Sequence, residues 1–345
     1  MRARILIPPK RMRWIPDTCR LEHEYCFFLH DQCVHVLVEY EKARANLVSF
    51  RFHNSTEQKT FERIANKTNS VAALRNIGRA TEARRVIINT ITLAMSSDCL
   101  HHIYEALRCM EKRKFVVGLN LLRKPLLDSL IYLSWILGDE ENFYESFSMR
   151  SPNALGGSTT GQIRGPIIAK ALNKTALVGI INPQDIESIL FDKKSLHGLH
   201  GLMQRAVHLI TTLTPTYATE GENFNFIFKS HADDDIYIRA NLYLPRVMLY
   251  LSHIIIELFD RMQSMDAGAK SAFQTRTQGA YTLIMHPKDP AICKWLSQIT
   301  GALNCSFCKA KPVFNHHNGV RALMADTFKC ANCRRINEFP FSYAF

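Results

Sequence analysis

Cys305-Ser-Phe-Cys308 and Cys330-Ala-Asn-Cys333 lie near the end of a 345-residue chain. A tetrahedral metal ion takes four thiolate or imidazole ligands, and each Cys-x-x-Cys turn delivers two of them from one tight bend. Twenty-one residues separate the two turns, one more than the usual upper end of about 15 to 20. The added length costs little, because loop-closure entropy grows only slowly with length. A redox dithiol pair or two unrelated turns of reduced cysteine would use the same residues. With both halves present, however, the spacing predicts one structural zinc ion on Cys305, Cys308, Cys330 and Cys333.

The residues around these turns are expected to form strands. Thr327-Phe328-Lys329 leads into Cys330 as a strand would, and Asn318-Gly319 is a hairpin turn signal. A small three-stranded zinc ribbon is therefore expected over residues 301–345. His316 and His317 fall between the two turns, but four cysteines already fill the shell, so both are expected at the surface.

Upstream of the ribbon the chain reads as helix almost throughout, which makes the fold mainly α. An all-helical domain or bundle is followed by the small β-rich ribbon. The expected divisions are a basic segment at 1–16, an N-terminal helical part at 17–150, a flexible loop at 151–165, a C-terminal helical part at 166–300 and the ribbon at 301–345. Asp17 or Thr18 caps a helix to about Leu47, in which Cys19, Cys26 and Cys33 recur every seven residues and share one face. Small apolar residues at that spacing are read as core.

A second helix is expected from about Thr81 to Met110. In a third, Leu119, Leu122, Leu126, Leu130, Leu133 and Leu137 recur at steps of three and four, with a kink at Pro125. Glycines and Pro152 make 151–165 a loop. Asn182-Pro183 caps a short helix to Phe191, a longer one runs from about Lys193 to Leu213, and another from Asp233 to about Met265 bends at Pro245. One more, capped near Asp289-Pro290, ends at about residue 299.

Composition bounds the function classes. The chain is 47% hydrophobic and 21% charged, ordinary for a protein that buries a core, so disorder is excluded. Its ten cysteines do not read as a disulfide framework in so long a chain, and Met1 to Lys10 lacks the apolar stretch of a signal peptide. A cytoplasmic location is expected. Phe115 to Leu137 carries Arg123, Lys124 and Asp128, and Leu242 to Phe259 carries Arg246, His253 and Glu257, so neither is expected to cross a membrane.

The net charge of +12 is localised. Residues 1–20 hold six basic against one acidic residue, 75–124 ten against four, and 301–345 six against two. Arg84, Arg85, Lys112, Arg113, Lys114, Arg334 and Arg335 are the candidate nucleic-acid contacts, because lysine and arginine gain affinity by releasing counterions from phosphates. Solvated charge is the competing explanation.

Two polar stripes suit chemistry. Arg246 and His253 share a face of the long helix, where a cation and a proton carrier would serve metal-independent cleavage at a ribose hydroxyl. His197, His200, Gln204, Arg205 and His208 fall near one line of another helix, and its three histidines would hold a metal with His231 or Asp233. The competing reading of either stripe is a solvated or interface face with ordinary hydrogen bonding.

The Arg-x6-His spacing of Arg246 and His253 resembles that of HEPN-type ribonucleases, all-helical proteins of bacterial toxin and antiviral systems that usually act as dimers. It departs from them at Val247, where those proteins commonly carry a polar residue. Leu119-x-x-Leu-Arg123-Lys-Pro-Leu-Leu-Asp128-Ser-Leu-Ile-Tyr, with Ser195-x4-His200-Gly201, is similar to a family of uncharacterised bacterial helical proteins. That resemblance implies Arg123, Asp128 and His200 as site residues. The leading expectation is a zinc-binding, nucleic-acid-associated protein of a bacterial defence or regulatory system. The alternatives are an enzyme, either a HEPN-like ribonuclease or a metal-assisted hydrolase with His200 in its site, and a module that docks a protein partner or a second copy of itself.

Overall fold

The computed structural model describes residues 5–148, 155–193, 198–212, 218–226, 234–301 and 303–339. The described chain is mainly helical, with one small sheet at its end.

Short helix α1 (Pro9–Met12) and a 3-10 turn at Asp17–Cys19 lead into α2 (Arg20–Lys42). Cys19, Cys26 and Cys33 are all buried, as the seven-residue recurrence predicts for a core face. The N-terminal arm is fixed from within, because the buried Glu24 carboxylate accepts the backbone N–H groups of Ile5 and Ile7 at 3.1 and 3.3 Å. α3 (Ser55–Lys67) and α4 (Ser70–Asn76) begin at Asn54 and Asn69, whose side chains accept the N–H of Glu57 and Ala72. Such caps satisfy donors that no earlier turn can reach.

α5 (Ala80–Glu111) spans the body and packs on α2 and on α6 (Phe115–Arg123). At Pro125 the chain neither breaks nor simply bends. It widens into a π turn, Lys124–Ser129, before resuming as α7 (Leu130–Gly138). Proline removes one N–H from the ladder and its ring crowds the preceding turn, which the wider turn accommodates. α7 is apolar on nearly every side and buried along its length, as such a helix must be.

After α8 (Glu140–Ser148) comes α9 (Gly157–Leu172). The loop expected at 151–165 is thus helix from Gly157 onward, and 151–154 lie outside the described residues. At Gly165 a Cβ would sit 2.8 Å from Glu187 Oε2, so this glycine serves close approach rather than a turn.

α10 (Pro183–Phe191) starts as expected, with Asn182 accepting the N–H of Gln184 at 3.1 Å. α11 covers only His200–Val207. The expected start near Lys193 is not met, because Gly198 has φ +138, where a Cβ would meet the Ile189 carbonyl oxygen at 2.9 Å, a backbone conformation no helix contains.

The core is built on α12 (Asp235–Met262), which packs most extensively on α2 and also on α7. α12 is long and apolar enough to cross a membrane by length and composition, yet 78% of its most apolar window is buried within the fold. The Phe115–Leu137 stretch is divided among α6, the π turn and α7. α13 (Ala267–Met285), which periodicity did not reveal, and α14 (Ala291–Ile299) follow. One buried apolar cluster runs from Ile7 to Phe339.

The ribbon departs from expectation between its two turns. Asn318-Gly319 is not a hairpin but lies inside α15 (His316–Ala325), whose first turn is capped by Asn315. Among the described residues the sheet accordingly has two strands where three were expected, β1 (Thr327–Lys329) and β2 (Ile336–Glu338), antiparallel with Phe328 opposite Asn337. Gly319 allows α15 to lie against α13, since a Cβ there would meet Leu283 at 2.7 Å.

Candidate metal centre and its basic face

Each cysteine pair occupies a turn of the same design. The Cys305 N–H donates to Ala310 O at 2.8 Å and the Lys309 N–H to Cys305 O at 3.0 Å; the Cys330 N–H donates to Arg335 O at 2.9 Å and the Arg334 N–H to Cys330 O at 3.1 Å. The residue after each second cysteine, Lys309 or Arg334, has a left-handed φ of 60° or 64°, which turns the chain back within five residues.

The turns face one another. Cys305 Sγ lies 3.6 Å from Cys333 Sγ, and Cys308 Sγ lies 3.6 Å from Cys330 Sγ. All four sulfurs fall within 4.8 Å of one another. A tetrahedral ion with metal–sulfur bonds of about 2.3 Å places its ligands about 3.8 Å apart, so the spacing suits a four-thiolate metal site. The pairs are far too wide for disulfides, whose sulfurs stand about 2.05 Å apart. Burial raises the Cys305 thiol, but the backbone N–H groups of Cys308 and Phe307 and the neighbouring thiols outweigh it and hold the group at about 6. Thiolate is the form a metal requires.

Two asparagines tie this centre together. Asn337 on β2 accepts the Ser306 N–H and hydroxyl, both at 2.9 Å, joining the first turn to the strand after the second. Asn318 on α15 bonds both backbone groups of Lys329, the residue before Cys330. Phe314, Phe328 and Phe339 are buried beneath. None of these polar ties carries a recognisable spacing signal.

The outer face is cationic. Lys309, Lys311, Lys329, Arg334 and Arg335 are all exposed. Phe307, the residue before Cys308, is 54% exposed, and the Arg335 guanidinium stands 4.4 Å from its ring centre. Beside the second turn a groove of about 370 Å³ is lined by Asn315, His317, Arg321, Lys329, Ala331 and Arg334. His317 is exposed, whereas His316 is partly covered.

The other cationic residues divide. Arg84 bonds Glu141 at 2.6 Å and approaches Glu140 at 3.3 Å, where Arg85 also pairs at 3.4 Å. Arg113 bonds Asp234 at 2.6 Å and lies over the Tyr237 ring. These three are engaged by carboxylates of the same chain, whereas Lys112 and Lys114 are exposed.

The stripe residues take separate environments. Arg246 donates from Nη1 to Asp185 at 2.8 Å and from Nε to the Tyr281 hydroxyl at 2.9 Å. His253 is 1% exposed, against the Phe273 ring. Thr277 spends its hydroxyl proton on Phe273 O at 2.8 Å, so His253 Nε2, 3.1 Å away, donates to Thr277 Oγ1. Burial pushes His253 down to about 3, which keeps the ring neutral.

His200 is buried, with Nδ1 3.0 Å from Leu190 O and Nε2 3.4 Å from the Gln204 amide. His208 follows the end of α11 in extended backbone, so the line of three histidines does not extend to it. His197, His231 and Asp233 lie outside the described residues. Arg123 and His200 come within electrostatic reach of each other, as do Arg123 and Asp128.

Comparison with protein-family models, with curated proteins and with solved structures finds no match. Neither resemblance noted in the sequence gains support from it. Among the described residues, the four cysteines are the only cluster of potential metal ligands.

Proposed function

We propose that the chain is a cytoplasmic zinc protein whose ribbon face binds single-stranded nucleic acid. Four thiolates without a histidine or carboxylate suit zinc in a closed, structural site, in which the ion shapes the fold and performs no chemistry. The observation that carries the reading is Phe307, an exposed ring on the knuckle with Arg335 against it, in a ribbon that also exposes Lys309, Lys311, Lys329 and Arg334. Unpaired bases stack on such rings while lysine and arginine follow the phosphates, and double helices cannot present bases in that way. Arg84, Arg85 and Arg113 already have anionic partners, so the interface is placed on Lys309, Lys311, Lys329, Arg334 and Arg335.

Fluorescence anisotropy with labelled single-stranded RNA, single-stranded DNA and duplex DNA across a salt series tests this. Single strands are expected to bind more tightly than duplex, with log affinity falling linearly in log salt. F307A should weaken binding about tenfold, in line with the loss of one stacked base, and R334E/R335E should reduce the salt slope. Binding that ignores salt, or an F307A protein that binds as wild type, would overturn the reading. In that case Val313 and Ile336, exposed like Phe307 in the same ribbon, favour a protein partner for the ribbon.

A further inference from the structure

A second cluster of charges gathers where α6 passes through the π turn into α7. Arg123 opens that turn and Asp128 lies within it; widened turns of this kind re-aim side chains and recur at functional sites. α9 contributes Arg164, whose guanidinium carbon stands 3.9 Å from the ring centre of Phe191 at the end of α10. α11 contributes His200, tied to Leu190 of that same helix end. Arg123, Lys124 and Arg164 act on the Asp128 carboxyl, and Arg123, Arg164 and Lys193 on the His200 imidazole. The carboxylates near these cations are Asp128, Glu187, which acts on Arg164, and Asp98, which holds Lys124 at 2.8 Å.

Two nitrogens in this cluster lack an acceptor. Arg123 Nη1 and Arg164 Nε are both shut off from solvent and have no hydrogen-bond partner among the described residues. A buried donor on a charged group is costly to leave unpaired, more so than a typical hydrogen bond is worth. Among the described residues Arg84 and Arg113 also leave Nε without a hydrogen bond, but each holds a carboxylate through another nitrogen, at 2.6 Å to Glu141 and to Asp234, as Arg11 and Arg108 hold Glu111 at 2.6 and 2.5 Å. Arg123 and Arg164 differ from these in that neither makes a hydrogen bond to a carboxylate among the described residues.

We propose that Arg123 and Arg164 form a binding site for a phosphoryl-type oxyanion, with exposed Asp128 as the competing carboxylate and His200 as the adjoining imidazole. A tetrahedral oxyanion offers acceptors to both guanidinium groups at once, and planar N–H forks match it. The site shares no residue with the ribbon face, so either reading can fail without the other.

Isothermal titration of the full chain in chloride buffer, with inorganic phosphate and with a nucleoside 5′-monophosphate, tests it. Saturable binding of at least one is expected, weakened about tenfold in R123Q and in R164Q, since each removes a charge-assisted bond. F307A should bind phosphate as wild type does. D128N is expected to tighten binding by removing the competing carboxylate, which a purely structural arginine cluster would not do, and an exposed aspartate can be replaced without unfolding the chain. Tighter binding of the nucleotide than of phosphate would assign the anion to a nucleotide, and equal binding to a free oxyanion. The proposal is overturned by absence of saturable binding, by binding that persists in both arginine variants, or, should those variants fail to fold, by D128N binding no more tightly than wild type.

Discussion

Asn318 and Lys329 are paired as two strands would be, although one partner is a side chain. The Lys329 N–H donates to Asn318 Oδ1 at 3.0 Å, and Asn318 Nδ2 donates to Lys329 O at 2.9 Å. The same amide nitrogen also reaches Val313 O at 2.8 Å. One buried carboxamide thereby takes the place of the third strand and fixes α15 against the residue that precedes Cys330. N318A leaves three backbone groups without that partner and should cost about 2 kcal/mol, the range for unsatisfied buried groups. N318D keeps the shape but turns a carboxylate oxygen toward two carbonyls, and should be no less damaging. Denaturant titration of both variants checks this; an N318D protein as stable as wild type would refute the pairing.

Metal removal is expected to act locally first. Asn337 and Asn318 tie the two turns, which a bound ion would hold from within, whereas the helical body has its own apolar core. A strong chelator or C330S should therefore abolish β1 and β2 and remove the bound metal while most helical signal persists, because structural zinc supplies the folding energy of its own module. Elemental analysis should find one zinc per chain in wild type and none in C330S. An iron–sulfur absorption band in the purified protein would displace zinc as the metal.

How much of this could be read from the residues follows from the range of each interaction. The cysteine pairs were legible because a metal shell is met by short spacings, and the Cys19, Cys26, Cys33 face because burial on a helix repeats along the chain. Gly319 misled because the same residue serves a turn or a close crossing, and only Leu283, 36 positions away in α13, decides which. Charge counting singled out Arg84 and Arg85 but had no access to Glu140 and Glu141, more than 50 residues later. Phe307 was visible only as a spacer between ligands until its exposure and the approach of Arg335 were known.

The α13–α15 crossing gives a prediction with two opposed contributions. Replacing Gly319 by alanine adds helix propensity worth about 1 kcal/mol, but the new methyl would lie 2.7 Å from Leu283 Cδ1, 3.5 Å from Leu296 Cδ1 and 3.6 Å from Cys293 Sγ. Overpacking of a tight contact costs about 1 to 3 kcal/mol, so the net change is expected to be destabilising by about 1 kcal/mol. In a G319A/L283A double variant the two costs should sum to less than their separate values, because the space vacated by Leu283 receives the methyl. Strict additivity in denaturant titrations would show that the helices do not meet there.

Acid should destabilise the helical body in a window set by its buried groups. His253 is pushed down to about 3 by burial, with Lys270 adding to the shift; His23 and His200 are lowered for the same primary reason, burial. A histidine whose folded pKa lies below its unfolded value of about 6.5 binds its proton more readily when unfolded, so stability falls as pH drops below about 6.5. Each such histidine contributes a slope of about 1.4 kcal/mol per pH unit, ending for His253 near pH 3. Glu111 adds loss in the same direction at the acid end: burial opposes its ionisation, but His23 and Arg11 outweigh it and hold the carboxyl below its ordinary range. Because acid also protonates the metal ligands, the comparison is best made in C330S, where that contribution is already gone. There, H253F should flatten the fall in stability between pH 6.5 and 4 by about one histidine's slope, measured by denaturant unfolding at each pH. An unchanged slope would mean that His253 is charged in the folded protein.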